Sequence, residues 1–205
     1  MATAFEGRLT PQEYLARERA SAGSKCEYVN GHIYAMGGAS LAHNRIVWNL
    51  ARELGIQIRG GPCSAVSNDM RVKVPETEMY TYPDVIVFCG EPMLEDDHFD
   101  TLLNPIVIVE VLSPSTERYD RGDKWAHFRR LKTLKVYVLI AQDRMRVETF
   151  TRRGDEWVYA ESSGAGGVLS LPAVSCSVPL DAIYELVLTG GAPAETDGEA
   201  EEQTT

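Results

Sequence analysis

Two short apolar runs, each carrying one acid, constrain this chain more than any other feature. Tyr82-Pro83-Asp84-Val85-Ile86-Val87-Phe88 sets a carboxylate at the mouth of a β-branched stretch, and Pro105-Ile106-Val107-Ile108-Val109-Glu110-Val111-Leu112 sets one inside another. Short runs rich in Val and Ile read as buried strands. A carboxylate in such a strand is costly to bury unless something pairs with it. Antiparallel pairing with Phe88 opposite Ile106 puts Asp84 opposite Glu110. Directly opposed residues share a face, with Cβ atoms roughly 5 Å apart. Two carboxylates that close repel each other unless a cation or a proton lies between them. Oxygen ligands at that separation suit Mg2+ or Mn2+. A plainer reading stands beside this one: Asp after Pro at a strand start is common turn chemistry, and a strand Glu can simply face water.

Length and charge narrow the classes. The 205 residues suggest one domain with a sizeable core, spanning residues 1–188. Residues 189–205 hold five acids and no base, so they predict a disordered acidic tail. Net charge is −10 in all, which leaves about −5 on the rest. An acidic body argues against tight non-specific DNA binding, which depends on Lys and Arg at phosphates. It leaves room for a metal-dependent nuclease, because a cation at the site offsets part of the negative field. No apolar stretch reaches the roughly 18 residues of a membrane helix, and the first residues lack the apolar core of a secretory signal. Cys26, Cys63, Cys89 and Cys176 are scattered with no CxxC spacing. They read as reduced thiols of a cytoplasmic protein.

Local signals give the outline. Thr10-Pro11-Gln12-Glu13 is a capping box opening a helix to about Ser21, and Asn30-Gly31 is a hairpin turn between Lys25–Asn30 and His32–Met36. Ser40 caps a helix to about Leu54, with Gly55 near its end. A strand over residues 64–74 precedes the two acid-bearing strands, which are separated by a long acidic segment, Gly90–Asn104, that reads as a mobile loop. A helix from about Tyr119 to Lys132 follows, then strands over 136–140, 145–151, 157–160, 168–171 and 174–178 and a short helix over 180–187. The order predicts a mixed sheet covered by helices.

A third chemical group comes from the helix after Glu110. At 100° per residue with Trp125 at zero, Phe128 falls at about 300°, Leu131 at about 240° and Lys124 at about 260°. Lys124 therefore lies on the apolar face, and its long stem can carry the ammonium toward the carboxylates. Lys132 lies in the same arc at the other end, so the pattern alone does not choose between them. His43 shares a face with Ile46, Val47, Leu50 and Leu54, where a histidine is more often a hydrogen-bonded core residue than a ligand. Glu27 alternates with Lys25 and Val29 in the first hairpin strand.

The combination Glu27…Asn30-Gly31, Ser40-x-x-His43, Pro83-Asp84-Val85, Glu110-Val111-Leu112-Ser113-Pro114-Ser115-Thr116 and Asp120…Lys124 resembles the Uma-two family, over about residues 10–185. That resemblance implies membership of the PD-(D/E)xK nuclease superfamily and an α/β, restriction-endonuclease-like core: a central mixed β-sheet flanked by helices, with an acidic metal site at one edge. It assigns Asp84 to the Pro-Asp acid and Glu110 to the (D/E). The superfamily lysine would stand at Leu112, so Lys124 takes its role from the helix. Glu27 matches an additional acid and His43 the first-helix histidine.

The reading that follows is a metal-dependent DNA endonuclease. Asp84 and Glu110 hold Mg2+ or Mn2+ with the Val111 carbonyl as a third ligand, and Lys124, Glu27 and His43 complete the site. A homodimer is expected from the family and from the frequency of two-fold symmetry. Two other classes stay open: a non-catalytic binding or regulatory protein on the same fold, and a hydrolase of a small phosphodiester.

Overall fold

The computed structural model describes residues 7–187, apart from 22 and 24. In chain order the elements are α1 (Pro11–Ala20), β1 (Cys26–Val29), β2 (His32–Ala35), α2 (Leu41–Gln57), β3 (Cys63–Ser67), β4 (Arg71–Val74), β5 (Met79–Thr81), β6 (Val85–Cys89), β7 (Thr101–Leu102) and β8 (Val107–Val111). Then come α3 (Glu117–Tyr119), a π turn (Asp120–Lys124), α4 (Trp125–Phe128), β9 (Val136–Ile140), β10 (Arg146–Arg153), β11 (Glu156–Ser163), β12 (Val168–Leu171), β13 (Cys176–Pro179) and α5 (Leu180–Ile183).

The acid-bearing runs lie inside a six-stranded sheet of order β11-β10-β9-β8-β6-β3, in which only β8 and β9 are parallel. A five-stranded sheet has order β2-β1-β5-β4-β7, and β12 pairs with β13. Val85 faces Val109, Ile86 faces Ile108 and Val87 faces Val107. One step outward sets Asp84 opposite Glu110 and Phe88 opposite Ile106, the register expected from the sequence.

Both faces of β6, β8 and β9 are covered, which is why these strands read as continuous apolar runs. Val85, Val87, Val107, Val109, Val136 and Val138 pack against Ile46, Val47, Leu50 and Leu54 of α2. Ile86, Ile108, Tyr137 and Leu139 point the other way, to Phe128, Leu131, Leu134 and residues of the five-stranded sheet. Leu50 is fully buried, so Leu50→Ala would cost about 2–5 kcal/mol. By strand parity Asp84 and Glu110 share the second face, beneath the chain segment 117–128.

Local departures from the sequence reading have physical causes. Thr10 forms the expected capping box on α1, and β1 and β2 flank Asn30-Gly31 as predicted. The strand expected over 64–74 is two, because Asn68 takes a left-handed backbone (φ 68°) and sends β3 and β4 into different sheets. Gly55 sits inside α2, which runs on to Gln57. The helix expected to reach Lys132 stops at Phe128 and contains a π turn. Segment 90–104 is tied down by β7, which pairs with β4, and by ion pairs from Arg19 to Asp96 and Asp100.

The cysteine reading needs correcting. Cys63 and Cys89 form a disulfide, and Cys26 and Cys176 are free. Antiparallel pairing of β3 with β6 sets Cys63 directly opposite Cys89 across 26 residues of sequence, a proximity that spacing motifs do not register. Disulfides are rare in a reducing cytoplasm, so the thiols no longer support that location. Among the described residues no helix is long and apolar enough to cross a membrane. The predicted tail, 189–205, lies outside the described residues.

Candidate active site

Asp84 stands just ahead of β6, whose first ladder residue is Val85. Its Oδ2 accepts the backbone N–H of Val111 at 2.7 Å, and its Oδ1 lies 3.0 Å from His43 Nε2. His43 reaches it because α2 starts there: the Ser40 side chain caps the helix by accepting the His43 N–H at 3.0 Å. A cap of this type fixes the first turn, and with it the imidazole.

Glu110 sits within β8, and Lys124 comes over it from the π turn. Lys124 Nζ is 2.8 Å from Glu110 Oε1, 3.0 Å from Glu27 Oε1 and 3.6 Å from Asp120 Oδ1. Lys124 and Glu110 are each 5% exposed and Glu27 and Asp120 each 3%. Glu27 arrives from β1 in the other sheet and also accepts a hydrogen bond from the Thr81 hydroxyl of β5. Burial opposes charge on Lys124, but Glu110, Glu27 and Asp120 outweigh it and hold the ammonium well above the ordinary lysine value. Burial pushes Glu110 well above the carboxylate range, with Asp120 and Asp84 adding to the rise and Lys124 opposing it. Asp120 is raised for the same leading reason, burial.

These groups line a cleft of about 580 Å³. Four acids, Glu27, Asp84, Glu110 and Asp120, line it with two lysines, and since Lys25 is paired with Asp69 the ammonium left to face them is that of Lys124, so the cleft is short of positive charge. Glu110 Oε1 is engaged by the Lys124 ammonium at 2.8 Å, and among the described residues no hydrogen bond to its other oxygen, Oε2, is seen. An acidic cleft of oxygen donors suits a hard cation. Among the described residues no set of three or more His, Cys, Asp or Glu side chains is gathered as a metal cage. Mg2+ does not need one: it is held by one or two carboxylates, with waters and substrate phosphates completing its octahedron. The residues present fit such an ion.

The sequence model of the Uma2 family, described as "Putative restriction endonuclease", matches residues 11–181. The chain belongs to the Uma2 family. Two proteins of Synechocystis sp. (strain PCC 6803) are similar over most of their length. The uncharacterized protein sll1609 is 39% identical over 157 residues, covering 76% of this chain and 88% of that protein. The uncharacterized protein slr1290 is 34% identical over 178 residues, covering 86% and 92%. The fold is also that of a crystal structure of a "putative nuclease belonging to DUF820" from Anabaena variabilis, with TM-score 0.72, 15% identity, and 88% of this chain and 99% of that one covered.

For this Uma2 chain, the structure brings Asp84, Glu110, Lys124, Glu27 and His43 to one cleft, with Val111 on its wall. Lys132, the other lysine in the helical arc, is exposed. Leu112, where the superfamily lysine would stand, is buried in the core with Ile108 and Phe128. Sequence reasoning missed the contacts of Asp120 and the presence of Tyr119 in the cleft. An acid four residues before a functional lysine was the available signal for Asp120. Tyr119 had none, because a 100° wheel puts it about 140° away from Lys124. The π turn, bonded i→i+5, rotates it back.

Proposed function

We propose that this Uma2-family chain hydrolyses phosphodiester bonds of DNA, using Mg2+ or Mn2+ held by Asp84, Glu110 and the carbonyl of Val111. The reading is supported by the pairing of Val85 with Val109, which leaves Asp84 and Glu110 as the next residues along the two chains, and by the buried Lys124 ammonium 2.8 Å from Glu110. The ion, when bound, would polarise a phosphate oxygen and lower the pKa of the attacking water. The side chains do the rest. His43 and the Val111 N–H hold the two oxygens of Asp84, fixing its plane. Glu27, held by Thr81, fixes Lys124 against Glu110. The Lys124 ammonium offsets negative charge that builds on the phosphorus oxygens. Residues 1–188 would be the catalytic unit, with the acidic segment 189–205 outside it and a homodimer as the working assembly.

One observation favours a second reading, hydrolysis of a small phosphodiester. Among the described residues, Lys25 and Lys124 are the lysines lining the cleft and no arginine lines it, and Lys25 is paired with Asp69. A cleft with so few cations grips one phosphate better than a long polyanion. Purified chain incubated with plasmid DNA and with a chromogenic phosphodiester, with Mg2+, Mn2+ or chelator, separates the two. Metal-dependent nicking that disappears in Asp84→Asn is the expected result. Turnover of the chromogenic ester alone selects the second reading, and no turnover of either ends both.

A further inference from the structure

The hydrogen bonds of the cleft are nearly all accounted for. Asp84 is held at both oxygens, Glu27 by Thr81, and Gln142 by Ser40 and by the Leu112 carbonyl. Ser113 is bonded to Ser115 and Thr116. Glu110 Oε1 meets the Lys124 ammonium at 2.8 Å, which leaves the hydroxyl oxygen of Tyr119, among the described residues, as the buried cleft-lining atom without a partner. Such an atom in a folded protein calls for a specific reason. It carries a proton, since a phenol is neutral below about pH 10, and suits an acceptor oxygen.

Tyr119 is well placed for that. It is the residue before the π turn that carries Asp120 and Lys124, and Lys124 Nζ lies 5.9 Å from its ring centroid. Lys124 itself is engaged by two carboxylates and has little freedom to turn to a ligand. A phenylalanine would fill the same wall without burying an unsatisfied hydroxyl. We propose that the Tyr119 hydroxyl donates a hydrogen bond to a non-bridging oxygen of the phosphodiester, making Tyr119 a substrate-contacting residue of this site. The assignment rests on the phosphodiester reading above and adds the donor that reading lacks.

Tyr119→Phe removes one oxygen and leaves the ring. The full-length chain and this variant are compared in three ways: thermal melting without ligand, calorimetric affinity for dithymidine phosphorothioate in the presence of Ca2+, and kcat on the substrate the wild type cleaves. The expected result is an unchanged or slightly raised melting temperature, because no partner is left unpaired. Affinity and kcat should fall about ten- to a hundredfold, the worth of a hydrogen bond to a charged group. Unchanged affinity and turnover overturn the assignment. A melting temperature lowered by several degrees, with activity falling in step, overturns it too, by showing a structural role. A wild-type chain that neither binds nor cleaves a phosphodiester overturns the parent reading as well, and that outcome is visible before the variant is made.

Discussion

Two acid-rich clusters of this molecule are built in opposite ways. Around Arg71, acids are matched by two guanidiniums. Arg19 bonds Asp100 at 2.8 Å and Asp96 at 2.9 Å, Arg71 bonds Tyr82 at 2.7 Å and pairs with Asp100, and Tyr82 donates to Glu18 at 2.9 Å. Hydrogen bonds from Arg19, joined by Arg71, hold the Asp100 carboxyl far below its ordinary range. In the cleft the balance is reversed: four acids share one ammonium, and burial raises Glu110 instead of lowering it. The matched cluster contributes stability. The unmatched one is kept at a cost, and an electrostatic deficit of that kind marks a place where something is meant to bind.

The sharpest way to break this contrast is to exchange acids in the two clusters. Asp84→Asn and Glu110→Gln should each reduce metal-dependent cleavage to background. Melting without metal should stay level or rise, since like-charge repulsion is relieved. If either variant cleaves at the wild-type rate, the metal site is wrongly placed. Lys124→Met should lose activity yet still take up metal in calorimetry. It strips the buried acids Glu110, Glu27 and Asp120 of their partner, so stability should drop by about 3–5 kcal/mol, or roughly 6–20 °C. A divalent cation restores positive charge there, so Mg2+ should raise the melting temperature more in this variant than in wild type. Equal increments would show that the ion does not compensate for the ammonium.

The smallest effect belongs to the matched cluster. Asp100→Asn should cleave at close to the wild-type rate while losing about 2 kcal/mol, or roughly 4–8 °C. Its pH signature follows from the depressed pKa. The stabilisation is fully present above the unfolded carboxylate pKa, about 3.9, and is lost as pH falls from there toward the folded value. Melting scans from about pH 6 to about pH 3 should therefore decline more steeply in wild type than in Asp100→Asn. Parallel declines would remove Asp100 from the account.

How much was legible in the sequence depended on whether the signal was periodic. The continuous apolar runs of β6 and β8 marked them as buried strands, an assumed antiparallel register set Asp84 opposite Glu110, and helical periodicity put Lys124 on the buried face. Features that break a period were invisible. Asn68 interrupts what reads as one strand, and Cys63 meets Cys89 only because two strands pair. Tyr119 reaches the cleft only because a π turn replaces an α turn. Arg71 reads as an ordinary strand residue, yet it is 4% exposed, because its partners are distributed over residues 82–101 and cannot be seen from its neighbours.

Lys124 has a consequence beyond charge. It clasps Glu27 of the five-stranded sheet and Glu110 of the six-stranded one, so its ammonium ties the two sheets together at the edge of the apolar core they share. Such a site behaves as an interlock. It exists only when both sheets and the π turn are seated, and non-local pairings of this kind come late in folding. An immature or locally loosened chain would hold its strands but not its assembled cleft. The cleft would thus be completed only at the last docking event, and lost at the first sign of unfolding.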